Sequence, residues 1–505
     1  MNEPVSKVRS IALFLSLYGL TFALLLVHQG LYGDSWRYLF TSTSAHMADT
    51  ANYGYPWMGP VYTFFQTLSQ PILVSSWITF FSFAVAGLAT LGILRQTRGV
   101  GPYEAFWISL FFSILPYNSA RVILSLLQYS IPYTLFWVAW FALAKHQNSG
   151  RLWLRLAALA LFALSFTANS LLVFYLLPLG WILYQTQTSF KTSLQIAFRY
   201  VDFLLLPVVF WVARCLYFHP LLPQYNDITL SRVLFSPFQI ATSLYHVVIE
   251  VSDHALSSVS LLSLCGLGLV LYLALSKFLS HPSEIPSKAF VKKALWASLF
   301  ALVLACLPYT LVNKLITGNF NEFEETRHQL LVPFGMALGW VYIVYAFIQN
   351  PAHRLKVFCA VTALCLLTQW HLFAALELDA AKQAGLLFHL KQLHLPSDSL
   401  IVFSDQTRSL NVHTRSVQPM EYEAYLSQAL GPQSWTVITP DKIVSEAVYD
   451  SQSPSENIIT ISVVPHWRAY NLRPESYFNY KIEHLFFPEK FIRRASELVR
   501  LQVQR

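Results

Sequence analysis

Charge is what this sequence has least of. Asp, Glu, Lys and Arg make up 12% of its 505 residues, against about 25% in an ordinary soluble domain, so the chain cannot dress a globular surface with charge. Cysteine is scarce as well, and Cys215, Cys265, Cys306, Cys359 and Cys365 all fall in apolar stretches. That distribution implies neither a disulfide framework nor a thiolate metal site, and makes them small packing residues. No histidine pair has the i, i+4 spacing of a zinc helix, and there is no phosphate loop, His-Glu metal motif or nucleophile elbow. No Asn-x-Ser/Thr acceptor occurs, which favours a bacterial inner membrane over the endoplasmic reticulum. The basic surplus, formally +8, forms no continuous stripe, which argues against nucleic acid.

Hydrophobic residues are abundant, at 55% of the chain. They come in blocks of about 20, the length that crosses a hydrocarbon core of about 30 Å. A bilayer leaves the backbone no water to bond, so each block must be helical. The expected spans are Ile11–Val27, Pro71–Leu94, Tyr103–Pro116, Val122–Ala144, Leu152–Asn169, Leu171–Tyr184, Tyr200–Phe218, Ser257–Ser276, Leu295–Ile316, Gln329–Ile348 and Leu355–Leu376, about eleven in all. The tight places Pro116–Arg121 and Asn169–Leu171 are each either a turn between helices or a kink in one.

Charge bias orients these spans. Lys7, Arg9, Arg95, Arg98, Lys145, Arg151, Arg155, Lys191, Arg199, Lys277, Lys288, Lys292, Lys293, Arg354 and Lys356 fall on one side; the short loops opposite hold Arg37, Arg121, Arg232 and Arg327. The positive-inside rule puts the first set and the N-terminus in the cytoplasm. An odd count then puts everything after Leu376 outside. The expected architecture is therefore a polytopic α-helical membrane domain over residues 1–376, with a long first outer loop at 28–70, followed by a small extracytoplasmic α/β domain over 377–505. Within the latter, Ala380–Leu395 reads as an amphipathic helix. Ser399–Ser404, Trp435–Thr439 and Ile458–Val464 read as buried strands. Glu421–Leu430 reads as a helix between them, and Phe491–Arg505 as a basic amphipathic helix.

The candidate chemistry lies on the outer side. The first outer loop is far longer than a connection needs to be. It carries Asp34 and Asp49 among aromatic residues, with Gly33 and Gly54 for tight turns and Pro56 and Pro60 to stiffen it. The loop is expected to form one or two short amphipathic helices on the membrane surface. A carboxylate held there could take a proton from an acceptor hydroxyl or bind a divalent cation; equally, Asp34 could be a helix cap. Gly318–His328 brings Arg327 and His328 to the mouth of a late span, behind Glu322, Glu324 and Glu325. Arginine suits a phosphate because its planar fork makes two charge-assisted bonds; a surface pair with one of the glutamates is the alternative. Arg37, Arg121, Arg214, Lys314 and Arg327 all sit at the outer boundary, where cations run against the topology bias. A phosphate-bearing lipid would account for them.

These features resemble the GT-C class of membrane glycosyltransferases. The resemblance rests on Gly33-Asp34-Ser35-Trp36 soon after the first span, on Gly54-Tyr55-Pro56-Trp57-Met58-Gly59-Pro60 leading to the second, and on Thr326-Arg327-His328 with Pro333 entering a late helix. A soluble domain after the last span also fits. The sequence departs from the commoner pattern in having no adjacent acidic pair in the first loop, so the resemblance names no metal and no certain cofactor, a divalent cation being the one option. It implies transfer of a sugar from a polyprenyl-phosphate-linked donor to an acceptor glycan, lipid or protein on the outer face. Asp34, with Asp49 as the second carboxylate, would serve catalysis. Arg327, Arg121, Lys314 and His328 would meet the phosphate, and Trp36, Tyr55 and Trp57 would stack on sugar or acceptor. An interfacial aromatic belt is the competing role for such residues. A transporter or flippase for the same lipid-linked glycan is the second reading, set back by scarce midplane charges and no internal repeat. An O-antigen-type polymerase or ligase is the third, set back by the short late loop, and a non-catalytic scaffold is the fourth.

Overall fold

The computed structural model describes residues 7–28, 30–40, 42–186, 198–221, 228–279, 286–316, 323–396, 399–431, 435–440, 458–466, 472 and 474–504. Lys191, Glu322 and the start of the Gly318–His328 loop lie outside the described residues.

Apolar blocks form helices in the order the sequence dictates. Helix α1 (Lys7–Phe22) continues as a tight 3-10 turn to Val27. The first outer segment folds into α2 (Asp34–Phe40), α3 (Thr43–Asn52) and α4 (Met58–Thr67), three short helices rather than one or two. There follow α5 (Pro71–Leu94), α6 (Pro102–Ile114), α7 (Leu127–Ser149), α8 (Leu152–Ser165), α9 (Ser170–Phe174), α10 (Leu176–Thr186) and α11 (Val201–Tyr217). The second half holds α12 (Leu230–Tyr245), α13 (Val251–Ser257), α14 (Leu261–Phe278), α15 (Lys288–Thr310), α16 (Val332–Phe347) and α17 (Pro351–Leu390).

The chain is an integral membrane protein. Among the described residues, 7 helical stretches are long and apolar enough to cross a bilayer: Val8–Val27, Pro71–Leu94, Leu124–Ser149, Leu261–Phe278, Lys288–Thr310, Phe323–Phe347 and Pro351–Leu390. Expected spans at Tyr103–Pro116, Leu152–Asn169, Leu171–Tyr184 and Tyr200–Phe218 are helical but shorter than about 20 residues. Helices α12 and α13, joined by a π turn at His246–Glu250, have no counterpart in the expected spans. Leu230, Leu234, Phe235 and Phe238 are exposed on α12 while Ser236 and Ser243 are buried. Its apolar face is therefore turned outward, as suits a helix against lipid.

The membrane core is aromatic. Trp107, Trp137, Phe112 and Phe334 come from α6, α7 and α16 and are buried together; Trp137 lies 4.7 Å from Phe112 and 5.1 Å from Phe334, centroid to centroid. Rings of this size supply much of the packing where lipid removes the hydrophobic drive between helices.

Helix α17 does not stop at Leu376. It runs 40 residues without a break, so the expected amphipathic helix from Ala380 is its continuation, and the boundary drawn at 376/377 falls inside one rod. Beyond it lie β1 (Leu400–Asp405), α18 (Pro419–Leu430), β2 (Thr436–Ile438), β3 (Ile458–Pro465), α19 (Pro474–Phe486), α20 (Pro488–Ser496) and β4 (Val499–Gln504). The sheet order is β2-β1-β3-β4. Strand β1 is parallel to β2 and β3, with Leu400 opposite Thr436 and Ile458, and β4 is antiparallel to β3. The end of the chain thus corrects the expectation of a helix over Phe491–Arg505. Only its first part is helical; Val499-Arg-Leu-Gln-Val-Gln504 alternates apolar and polar with period two, a strand pattern, and completes the sheet. Leu31 and Trp36 of the first outer segment are buried in the same core as this sheet, which ties the two outer parts together.

Candidate active site

Tight local geometry brings Asp34 to a cavity wall. Gly33 adopts φ 52°, and a side chain there would run into the Glu324 carboxylate, so the turn favours glycine. Asp34 opens α2 directly after it. The helix is then held from three sides. Ser35 Oγ accepts from the Ser125 amide at 3.2 Å. Trp36 Nε1 donates to the Leu31 carbonyl at 3.0 Å and its ring meets Tyr425 of α18 edge-on at 4.4 Å. Gln383 of α17 donates from Nε2 to the Leu31 carbonyl at 2.8 Å. Tyr32 donates to the Leu376 carbonyl at 3.0 Å, with the Arg415 guanidinium 5.2 Å over its ring.

The facing wall is the 3-10 segment Phe323–Leu331, which enters α16. Buried Thr326 bonds Ser119 Oγ at 3.1 Å and accepts from the Ala120 amide at 2.9 Å; Gln329 accepts from the Asn118 amide at 2.9 Å. These bonds satisfy the backbone of the break between α6 and α7, where Asn118 is left-handed (φ 54°). Between those anchors, Arg327 donates to Glu325 Oε1 at 2.9 Å, and His328 Nδ1 lies 3.0 Å from Glu325 Oε2.

A cavity of about 540 Å³ lies between the walls. Asp34, Tyr55, Lys314, Arg327 and His328, all candidates from sequence, line it together. So do Arg37, Tyr38 and Tyr53 of the first outer segment, Gln128 and Tyr129 at the start of α7, Asn169 and Ser170 at the α8–α9 break, and Tyr309 at the end of α15. Leu172, Val173, Trp211, Ile228, Leu311 and Val312 make one side apolar. Asp34 is the single carboxylate among the lining residues, facing three permanent cations, Arg37, Lys314 and Arg327. Burial raises the Asp34 carboxyl above its ordinary value, and Arg327 and then Arg37 pull it back. Arg327 pairs with Glu325 and also lines the cavity.

Four sequence candidates lie elsewhere. Arg121 is buried with its guanidinium 4.8 Å and 4.7 Å over the Phe22 and Phe83 rings, donating to the Tyr117 and Asn118 carbonyls. It braces the α6–α7 break and is not among the residues that line the cavity. Trp36 is only 2% exposed; its ring is spent on Tyr425, so it stacks on protein and not on a sugar. Trp57 packs edge-on against Phe218 at 5.6 Å and Tyr55 at 5.9 Å, behind the wall. Asp49 pairs with Arg37 at 2.7 Å and reaches the cavity only through it. Arg214, on α11, comes within 3.5 Å of the Gly54 carbonyl and holds the loop. Among the described residues, no group of three or more His, Cys, Asp or Glu is placed to hold a metal ion.

The contributions of Tyr129, Asn169, Ser170 and Tyr309 went unread in the sequence. The available signal was the pair of interruptions at Pro116–Arg121 and Asn169–Leu171, where helices stop short of a full span and leave polar residues at the mouth.

No family model matches the sequence and no curated protein matches it. Among solved structures, the chain is similar to ArnT from Cupriavidus metallidurans, in a crystal structure bound to undecaprenyl phosphate. The match covers 94% of each chain at 13% sequence identity with a TM-score of 0.35.

Proposed function

We propose that this protein is a GT-C-type membrane glycosyltransferase that moves a sugar from a polyprenyl-phosphate-linked donor to an acceptor hydroxyl at the outer membrane face. In this reading about eleven helices span the bilayer, the N-terminus is cytoplasmic, and the C-terminal domain is extracytoplasmic. The observation that supports it is the cavity itself, in which one half-buried carboxylate, Asp34, shares the described lining with Arg37, Lys314 and Arg327 beside an apolar side. A lipid phosphate needs cations and a greasy approach, and a hydroxyl nucleophile needs a base.

The chemistry follows from those groups. Asp34 accepts the acceptor's proton as its oxygen bonds to the anomeric carbon. The bond from that carbon to the phosphate oxygen breaks, and the electron pair leaves with the lipid phosphate. Arg327, already fixed by Glu325, and Lys314 receive the growing negative charge, the form of stabilisation that contributes most in such sites. Tyr55, Tyr129 and Tyr309 line the space left for the sugar.

The test is transfer by purified protein in liposomes, with undecaprenyl-phosphate-linked sugars as donors. Asp34→Asn keeps size and insertion but removes the base, and should lower transfer by roughly 10²–10⁴-fold. Arg327→Lys keeps charge and loses the fork, and should also lower transfer with expression unchanged. Full transfer by Asp34→Asn would overturn the assignment of the base, and full transfer by Arg327→Ala would reduce that residue to a surface ion pair.

A further inference from the structure

A second cavity, of about 360 Å³, opens between the end of α5, α7, α10, the start of α15 and α16. It is remote from the site above. Lys293 lines this cavity and Tyr309 lines the first, and 16 residues of α15 separate them, about 24 Å at 1.5 Å per residue. The two cavities therefore belong to opposite ends of the bundle. The second lies at the end that carries Arg95, Arg98, Lys288, Lys292 and Lys293.

Its walls are almost wholly apolar. Trp140, Trp181 and Phe334 supply its rings, and Phe300, 47% exposed, stands where it opens sideways. Gly180 on α10 lines it as well, and a Cβ at Gly180 would meet no atom within 4 Å. The glycine therefore leaves space that an ordinary helical residue would fill. Among the described lining residues Lys293 is the one that is charged, and it is exposed and makes no ion pair or hydrogen bond with another described residue. Two lining side chains, Trp140 and Tyr342, carry buried donors that find no acceptor among the described residues.

A greasy slot, donors without acceptors and a single cation at one end match one kind of molecule: a chain of hydrocarbon with ester and phosphate oxygens and a negative head. We infer that this cavity binds an anionic phospholipid of the leaflet opposite the Asp34 cavity, one acyl chain lying between α10 and α15 and the phosphate near Lys293. Arg98, whose carbonyl accepts from Tyr184 of the lining at 3.0 Å, and Lys292, one residue from Lys293, add to the positive field. The inference concerns a separate site and does not depend on the glycosyl-transfer reading.

Native mass spectrometry of the full chain tests it, with dioleoyl-phosphatidylglycerol and dioleoyl-phosphatidylethanolamine offered in equal amounts. The wild-type protein should retain the anionic lipid several-fold over the zwitterionic one. Gly180→Phe fills the slot and should remove that excess; Ala297→Trp does the same from the α15 side and serves if the first variant misfolds. Lys293→Gln should keep lipid bound and abolish the discrimination between heads. Equal retention of the two lipids by wild type, or an undiminished excess in both filled variants, overturns the proposal. So does a polyprenyl phosphate adduct that the filled variants remove in place of phosphatidylglycerol, since the cavity would then belong to the carrier.

Discussion

Asp34 owes its properties to two neighbours, one behind it in the chain and one that shares the cavity lining with it. Gly33 behind takes a left-handed turn that favours glycine, and a Cβ there would press on the Glu324 carboxylate. Arg327 across the cavity is the largest influence opposing the upward shift that burial imposes on the carboxyl. The sign of the pH dependence follows. A base acts ionised, so transfer should fall as pH drops through the raised value, placing the acidic limb of kcat/KM above the ordinary Asp range near about 3.9. Removing the opposing cation in Arg327→Gln should move that limb further up, since Arg327 is the largest of the charges that lower the Asp34 carboxyl. A limb at the ordinary carboxylate value in wild type would show that Asp34 is not the titrating base. The sequence displayed Gly33-Asp34 as a short motif but not its partner Glu324, which is nearly 300 residues away and meets it only through folding.

The 3-10 segment Phe323–Leu331 is the element on which the cavity depends. An α-helix would satisfy its own backbone; this segment instead turns Thr326 and Gln329 outward to satisfy the backbone of the α6–α7 break. Thr326→Val keeps the shape and deletes the acceptor of a buried amide, which costs about 1–3 kcal/mol. The variant should show a lower thermal midpoint and weaker transfer, whereas Ser119→Ala, which leaves the Ala120 bond intact, should have the smaller effect on both. Equal melting of Thr326→Val and wild type would show that the break holds itself. Sequence placed α5 at Pro71–Leu94, as found, because an uninterrupted apolar run with proline at its start admits one solution. It could not place the short elements. A break at Asn169 and a span through it contain the same residues, and only contacts between distant segments choose. The same limit hid α12, whose apolar residues are spaced for one face and not for a full span, and misread Val499–Gln504, too short for its period to stand out beside the helix before it.

At the scale of the molecule, the segment after α1 and the C-terminal sheet share one buried core, so they are a unit built from both ends of the chain. Side is testable by labelling. In a background with Cys215 and Cys265 replaced by serine, an impermeant maleimide should reach Glu489→Cys on α20 in intact cells and reach Ser149→Cys, between α7 and α8, only after permeabilisation. Labelling in the reverse order would overturn the orientation and with it an outer-face site. The whole assembly hangs on α17, a helix of 40 residues that rises about 60 Å at 1.5 Å per residue, twice the thickness of the hydrocarbon it crosses. Such a rod fixes azimuth as well as height. Because each residue advances a helix by about 100°, inserting one between Leu376 and Asp379 would swing Gln383, and everything beyond it, away from Leu31. Seven inserted residues would nearly restore the angle but lift Gln383 by about 10 Å, so no small change of length recovers both, and the two parts are geared to one another like two wheels keyed on a single shaft.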